Sequence, residues 1–347
     1  MSNDTDRTER VDGPSVPETG KPAPKLRRIV GDKYRLLGSN PRYNRFGKDA
    51  IDGDTELEPN TILHANLGVW KDSSKLPVQE DRVIKAEYLT EDGRKATRLA
   101  VGDGMGGHGC GDVAAQLFAE AIAKPQSYAE AEAETRRRLA ELAARDLKYK
   151  ESGVCTAVAT IVGNTLYRNR RGDARIYVFS RDGTLKSLTR DENVYYGDRP
   201  AADPRHNEQD ALRRATEKSV SGHKNNTVTN DLSLVKANKP EDPLDPVELE
   251  EGDVVFVCSD GVSDNLTAPE IWAALQTGYP HAMTQAVRAK MDGQFNRFHY
   301  DQTQGGAKGL PGKADNFAYA AYVHGKAPAW WPKPKTYGEQ LRKVLGL

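Results

Sequence analysis

The sequence predicts a mixed fold of short buried strands and amphipathic helices, on three observations. Apolar runs of strand length stand at Val154–Val162 and Val254–Cys258, and an alternating run stands at Phe317–Val323. Val113, Leu117, Phe118, Ala121 and Ile122 recur at helical spacing and make one apolar face. Residues 128–147 are rich in Ala, Glu, Leu and Arg, all good helix formers.

Taken in order, the elements are these. Residues 1–30 are rich in Asp, Glu, Arg, Thr and Pro with almost nothing apolar, and are expected to stay disordered because they bury too little surface to offset ordering entropy. Residues 31–59 read as a linker or pre-domain segment, and 60–325 as the folded domain. A strand-like segment at 99–101 leads into a glycine-rich loop, and the helix that begins at Val113 follows it. Residues 190–230 are polar, contain Gly197, Pro200, Pro204 and Gly222, and read as a loop. Residues 292–314, rich in Gly and Gln, read as another. The segment 326–347 holds Pro328, Trp330, Trp331, Pro332 and Pro334 and then a short basic stretch; Trp330 and Trp331 are expected to cover the domain edge.

The most informative stretch is Val101-Gly102-Asp103-Gly104-Met105-Gly106-Gly107-His108-Gly109-Cys110-Gly111-Asp112. Glycines let a backbone approach a ligand closely, because no Cβ intervenes. Three readings compete for it. It could be a turn with Asp103 as a helix cap. It could be a dinucleotide cradle, since Gly102, Gly104 and Gly107 satisfy GxGxxG. That unit needs a second strand after the helix, however, and 128–147 reads as another helix. It could also bear a metal, which requires acids converging from elsewhere.

Four further places supply such acids. Glu80-Asp81 follow a short polar turn. Asp173 precedes the apolar run 176–179, and Asp260 and Asp264 directly follow Val254–Cys258. Asp315-Asn316 precede Phe317–Val323. Each stands at a strand end, where side chains from separate strands meet at one edge of a sheet. Clustered carboxylates repel unless cations neutralise them, so the arrangement implies metal.

With 50 basic and 50 acidic side chains in 347 residues, formal neutrality argues against a general nucleic-acid binder. No apolar stretch approaches the roughly 20 residues needed to cross a bilayer, and the polar start shows no secretory signal. Three widely spaced cysteines fit neither a zinc site nor a disulfide framework. A cysteine phosphatase needs an Arg six positions after its nucleophile. Those positions here hold Gln116, Ile161 and Asp264. Reduced thiols in a cytoplasmic protein are expected, with Cys155 and Cys258 as small core residues.

The ordered set Glu80-Asp81, Asp103-Gly104-Met105-Gly106-Gly107-His108-Gly109, Gly172-Asp173-Ala174-Arg175, Cys258-Ser259-Asp260-Gly261-Val262-Ser263-Asp264 and Asp315-Asn316 resembles the metal-dependent serine/threonine protein phosphatases of the PPM, or type-2C, class. The likeness covers roughly residues 60–325. It implies an α+β fold of four layers, α-β-β-α, with two antiparallel sheets flanked by antiparallel helix pairs. It implies hydrolysis of phosphoserine and phosphothreonine in proteins by a water activated on two or three Mg2+ or Mn2+ ions, with no covalent intermediate. Asp103 would bridge two ions, with the Gly104 carbonyl as a further ligand. Asp260 and Asp315 would hold one ion, and Glu80 would help hold the other while Asp81 orients water. Asp173 and Asp264 match the positions of a weaker third ion. The 190–230 loop falls where the family has a variable flap. Phosphorylated proteins, a cognate kinase and a cytoplasmic location are the expected partners and setting.

Two departures stand out. Met105 occupies the place where many eukaryotic members carry a His, as in bacterial-type members, and His108 is expected to be a loop residue. Leu76 occupies the place of an Arg that clamps substrate phosphate; Lys75 and Arg82 are the nearest candidates to replace it. A catalytically weak pseudophosphatase that binds a phosphoprotein or kinase is therefore the alternative.

Overall fold

Side-chain alternation along the strands sorts the apolar residues into three layers of core. In β12 (Val254–Cys258), Val254, Phe256 and Cys258 face one side and Val255 and Val257 the other, and all five are buried. A strand buried on both faces needs cover on both, which is why its sequence reads as one continuous apolar run. The computed structural model describes residues 23–29, 34–38, 54–66, 79–105, 110–192, 228–235, 244–291 and 315–333.

One antiparallel sheet runs β1 (Leu26–Ile29), β5 (Arg82–Thr90), β6 (Lys95–Gly104), β7 (Val154–Val162), β8 (Thr165–Arg171) and β11 (Val247–Glu248), with β2 (Arg35–Leu37) also on β5. The other runs β10 (Leu185–Leu188), β9 (Arg175–Phe179), β12, β13 (Phe317–Val323), β4 (Thr61–Asn66) and β3 (Asp54–Glu58). Between them lie Leu63, Leu99, Val101, Ile176, Val178 and Ala318, among others. Helices α1 (Gly111–Ile122) and α2 (Tyr128–Arg145) cover the first sheet through Phe118, Ile122 and Leu139 on Ala100 and Val158. The short α3 (Asp260–Ser263) follows β12 directly, and α4 (Ala268–Gln276) and α5 (His281–Met291) cover the second sheet through Ile271, Trp272 and Met283. The result is the expected four-layer α-β-β-α sandwich.

Several boundaries differ from the sequence expectation. Residues 26–29, expected in the disordered tail, form an edge strand paired with Tyr88–Thr90 of β5. β2 and β3 fall inside the expected linker, so the folded unit begins before residue 60. These strands join through backbone hydrogen bonds, which polar side chains do not prevent and which leave little apolar signal. The helix expected over 128–147 stops at Arg145, where Asp146 turns extended and caps a 3-10 turn, Leu147–Tyr149. Trp331 is buried, and Trp330 packs edge-on to Trp272 at 5.4 Å, so the chain as far as residue 333 belongs to the second helical layer. Residues 1–22, the 193–227 part of the expected flap, 292–314 and 334–347 lie outside the described residues.

Candidate metal centre

Strand register brings the predicted acids to one end of the sandwich. In the first sheet Arg82 pairs with Gly102, Asp103 with Cys155, and Thr156 with Arg171. In the second, Cys258 pairs with both Arg175 and Tyr319, and Phe317 with Asn66. Glu80 and Asp81 therefore enter β5, Asp173 turns from β8 into β9, Asp260 leaves β12, and Asp315 enters β13, all at one edge. Asp103 is not in a loop, as the glycines around it suggest. It is the second-last residue of β6, because its backbone still pairs with β7.

Asp103, Asp173 and Asp260 each present a carboxylate oxygen within 4.8 Å of the others. Asp260 is also fixed to Asp103 by its backbone, whose N–H donates to Asp103 Oδ2 at 3.2 Å. Burial drives the Asp103 pKa well above the usual carboxylate range, and Asp260, Asp81, Asp173 and Asp315 raise it further. Glu80 is pushed up to about 7 by burial first, then by Asp112 and Asp315, against the opposing charge of Arg82. Such a set favours protonation or cation binding, since like charges in a low dielectric cannot all stay ionised unaided. Carboxylate oxygens from separate strand ends fit a hard divalent cation.

The remaining predicted residues are placed as follows. Asp81 is fully buried, and its Oδ2 accepts a 2.6 Å hydrogen bond from Ser259 Oγ. Ser259 Oγ in turn accepts from Ala318 N–H at 2.9 Å, so one hydroxyl ties β12, β13 and the entry to β5. Gly104 N–H donates to the Glu80 carbonyl at 3.3 Å. A Cβ at Gly104 would come within 2.5 Å of the Gly111 carbonyl oxygen, so glycine there permits the close crossing of strand and helix start. Asp264 caps α3, its N–H donating to the Asp260 carbonyl at 2.8 Å. Asp315 Oδ1 accepts from Asn316 N–H at 3.0 Å. Glu80, Asp264 and Asp315 are not part of the tight three-carboxylate group, whereas Asp173, expected at a weaker position, is.

Arg82 is not offered as a phosphate clamp. Its guanidinium donates to the carbonyls of Gln79 at 2.7 Å and Asp81 at 3.0 Å and to Gln116 Oε1 at 2.8 Å, which fixes the Glu80-Asp81 turn. Lys75, Leu76 and His108 lie outside the described residues. The sequence reading also missed partners that steady the site. Arg175 is gripped by Asp191 at 2.7 and 2.8 Å, and Arg171 by Glu132 at 2.6 and 3.1 Å. The one available signal was the Arg residues flanking Asp173, which, once buried, need acids.

Residues 78–196 match the family model described as Protein phosphatase 2C, a segment that contains Glu80, Asp81, Asp103 and Asp173. That segment is similar to the protein phosphatase 2C family. The serine/threonine protein phosphatase PstP of Mycobacterium tuberculosis is 30% identical over 193 residues, 52% of this chain. The match spans about a third of that relative, 34% of its length. The crystal structure of the Mycobacterium tuberculosis serine/threonine phosphatase PstP/Ppp superposes with a TM-score of 0.50 at 22% identity, over 76% of this chain and 98% of that one. At that identity the likeness speaks for the fold. The C-terminal acids Asp260, Asp264 and Asp315 lie beyond the matched segment; strand register, not the family match, brings them to the site.

Proposed function

We propose that this chain hydrolyses phosphoserine and phosphothreonine in proteins with two or three Mg2+ or Mn2+ ions. The gathering of Asp103, Asp173 and Asp260 from three strand ends carries the proposal. The family match and the name of its Mycobacterium tuberculosis relative support the substrate class. Asp103 would bridge ions. Asp260 and Asp315 would hold one; Glu80 and the Gly104 carbonyl would hold another, and Asp173 and Asp264 a third. When bound, such ions lower the pKa of water toward neutrality and offset charge on a phosphoryl group. Asp81, steadied by Ser259, orients the attacking water as a hydrogen-bond acceptor. A cognate kinase supplies the substrates. Three free cysteines, two of them buried with thiol pKa values raised by burial, support a reducing, cytoplasmic setting. Among the described residues no helix is long and apolar enough to cross a membrane.

One observation favours a second reading. Leu76 replaces the family's clamp Arg, and the Arg82 guanidinium is held by main-chain carbonyls. On that reading the chain binds a phosphoprotein or kinase without turnover. Phosphate release from a phosphothreonine peptide with added Mn2+ decides between them. Wild type releases phosphate, and Asp260→Asn lowers the rate at least about 1,000-fold while melting like wild type in EDTA. Mn2+ binding without turnover selects the second reading, and no Mn2+ binding rejects the first.

A further inference from the structure

Glu192 lies outside the three-carboxylate group, yet each of its four polar groups is engaged at the turn that carries Asp173. Its N–H donates to the Gly172 carbonyl at 2.7 Å. Its Oε2 accepts from Gly172 N–H at 3.2 Å. Its Oε1 pairs with the Arg170 guanidinium at 3.1 Å, where the two side chains are 14% and 6% exposed. Its carbonyl accepts from Thr229 N–H at 2.9 Å. Its carbonyl thus also ties the chain at Thr229 to the Asp173 turn.

The turn has little other freedom. Gly172 sits at φ +79°, and a Cβ there would approach Cys155 Sγ to 2.4 Å. On one side of Asp173, Arg171 is fixed by Glu132; on the other, Arg175 is fixed by Asp191, the neighbour of Glu192. The dipeptide Asp191-Glu192 therefore holds Arg170, Gly172 and Arg175, positions on both sides of Asp173. We propose that Glu192 is a positioning residue that sets the Asp173 carboxylate against Asp103 and Asp260 and couples that placement to the segment returning at Thr229. The inference rests on the phosphatase reading for its functional meaning, and on the hydrogen bonds and ion pairs above for its geometry.

The test compares full-length wild type, Glu192→Ala and Glu192→Gln. Gln keeps an acceptor for Gly172 N–H and loses the charge that pairs with Arg170; Ala loses both. Calorimetric Mn2+ titration is expected to show the weakest binding step about tenfold weaker in Glu192→Ala, the low end of what loss of a group behind a metal ligand causes, with an intermediate value in Glu192→Gln. Amide hydrogen exchange, read without metal, is expected to rise over 170–175 and at 228–230 in Glu192→Ala and to be largely restored in Glu192→Gln, while exchange in β12 stays unchanged. Wild-type exchange over 170–175 in Glu192→Ala overturns the inference, as does loss of protection spread evenly through β12. If wild type binds no Mn2+, the phosphatase reading fails, and the exchange comparison still decides what Glu192 holds in place.

Discussion

Helices α1 and α2 are tied to their sheet by polar contacts that continue into the candidate metal centre, whereas α4 and α5 lie on theirs chiefly through aromatic packing, with His64 Nε2 and Thr284 Oγ1, 3.0 Å apart, as a buried polar tie. On α2, Tyr128, Glu132 and Arg136 are four residues apart and so share one face. Tyr128 Oη and Thr156 Oγ1 are 2.7 Å apart, Glu132 grips Arg171, and Arg136 donates to the carbonyls of Asp231, at 3.1 Å, and Ser233. Thr156, Arg171 and Asp231 all stand at or beside the acid-bearing end of the first sheet. Under α4, by contrast, Phe179 meets Trp272 at 5.5 Å, Trp272 meets Trp330, and Phe256 stacks on Tyr319 at 5.3 Å. Hydrogen bonds fix direction, while apolar burial fixes only proximity. The first layer is thus suited to aim side chains and the second to hold the sandwich together.

If so, Phe256→Ala costs about 3–5 kcal/mol of stability, because it opens a cavity in the second layer. Urea denaturation reads that loss. The kcat of the folded fraction stays within about twofold of wild type, and a tenfold fall would erase the distinction between the layers.

The second layer also carries an acid weakness. His64 of β4 is fully buried against Phe317, Tyr319 and His281, with Nδ1 2.7 Å from Thr55 Oγ1 and Nε2 3.0 Å from Thr284 Oγ1. Burial, and then the nearby His281, push its pKa down to about 3. Between pH 6.5 and 3 the unfolded chain takes up a proton that the native state refuses, so stability falls as pH drops through that window. The loss reaches about 4 kcal/mol at its lower end. His64→Gln should flatten the stability–pH curve below pH 6.5, and an unchanged slope would assign the acid sensitivity elsewhere.

A smaller stability change with a larger functional one is expected in the first layer. Glu132→Gln removes the charge that compensates Arg171 and costs about 2–3 kcal/mol. Unlike Phe256→Ala, it should also weaken Mn2+ binding severalfold in calorimetry, because Arg171 lies two residues from Asp173.

What the sequence made legible follows the same division. β7, β12 and β13 are buried on both faces, so Val154–Val162, Val254–Cys258 and Phe317–Val323 could be bounded from apolar character alone. β1 to β3 could not, because edge strands are held by backbone pairing that leaves no side-chain record. The acids of the centre were legible because each sits at a strand end. Their supports were not. Nothing local says that Arg175 will meet Asp191, sixteen residues on, or that Arg82 will turn away from solvent to the carbonyls of Gln79 and Asp81. Those partnerships depend on which strands become neighbours, and a single sequence does not encode that register in any short window.

The gentlest test compares two helix starts of the same design. Both α2 and α4 begin with a capping box, Ser127 with Glu130 and Thr267 with Glu270. Replacing either cap by Ala should cost about 1 kcal/mol, so stability alone cannot separate the layers. The consequences should differ. Ser127 precedes Tyr128, and fraying that turn loosens the Tyr128–Thr156 contact beside Asp103's strand partner Cys155. Thr267 precedes a turn whose Glu270 also holds Lys290 of α5 at 2.7 Å, a contact between the two helices and not with an acid-bearing strand end. Ser127→Ala is therefore expected to raise KM or the Mn2+ concentration for half-activity about twofold, and Thr267→Ala to change neither. Equal kinetics in the two variants, at equal loss of melting temperature, would mean that polar attachment does no more for the site than packing does.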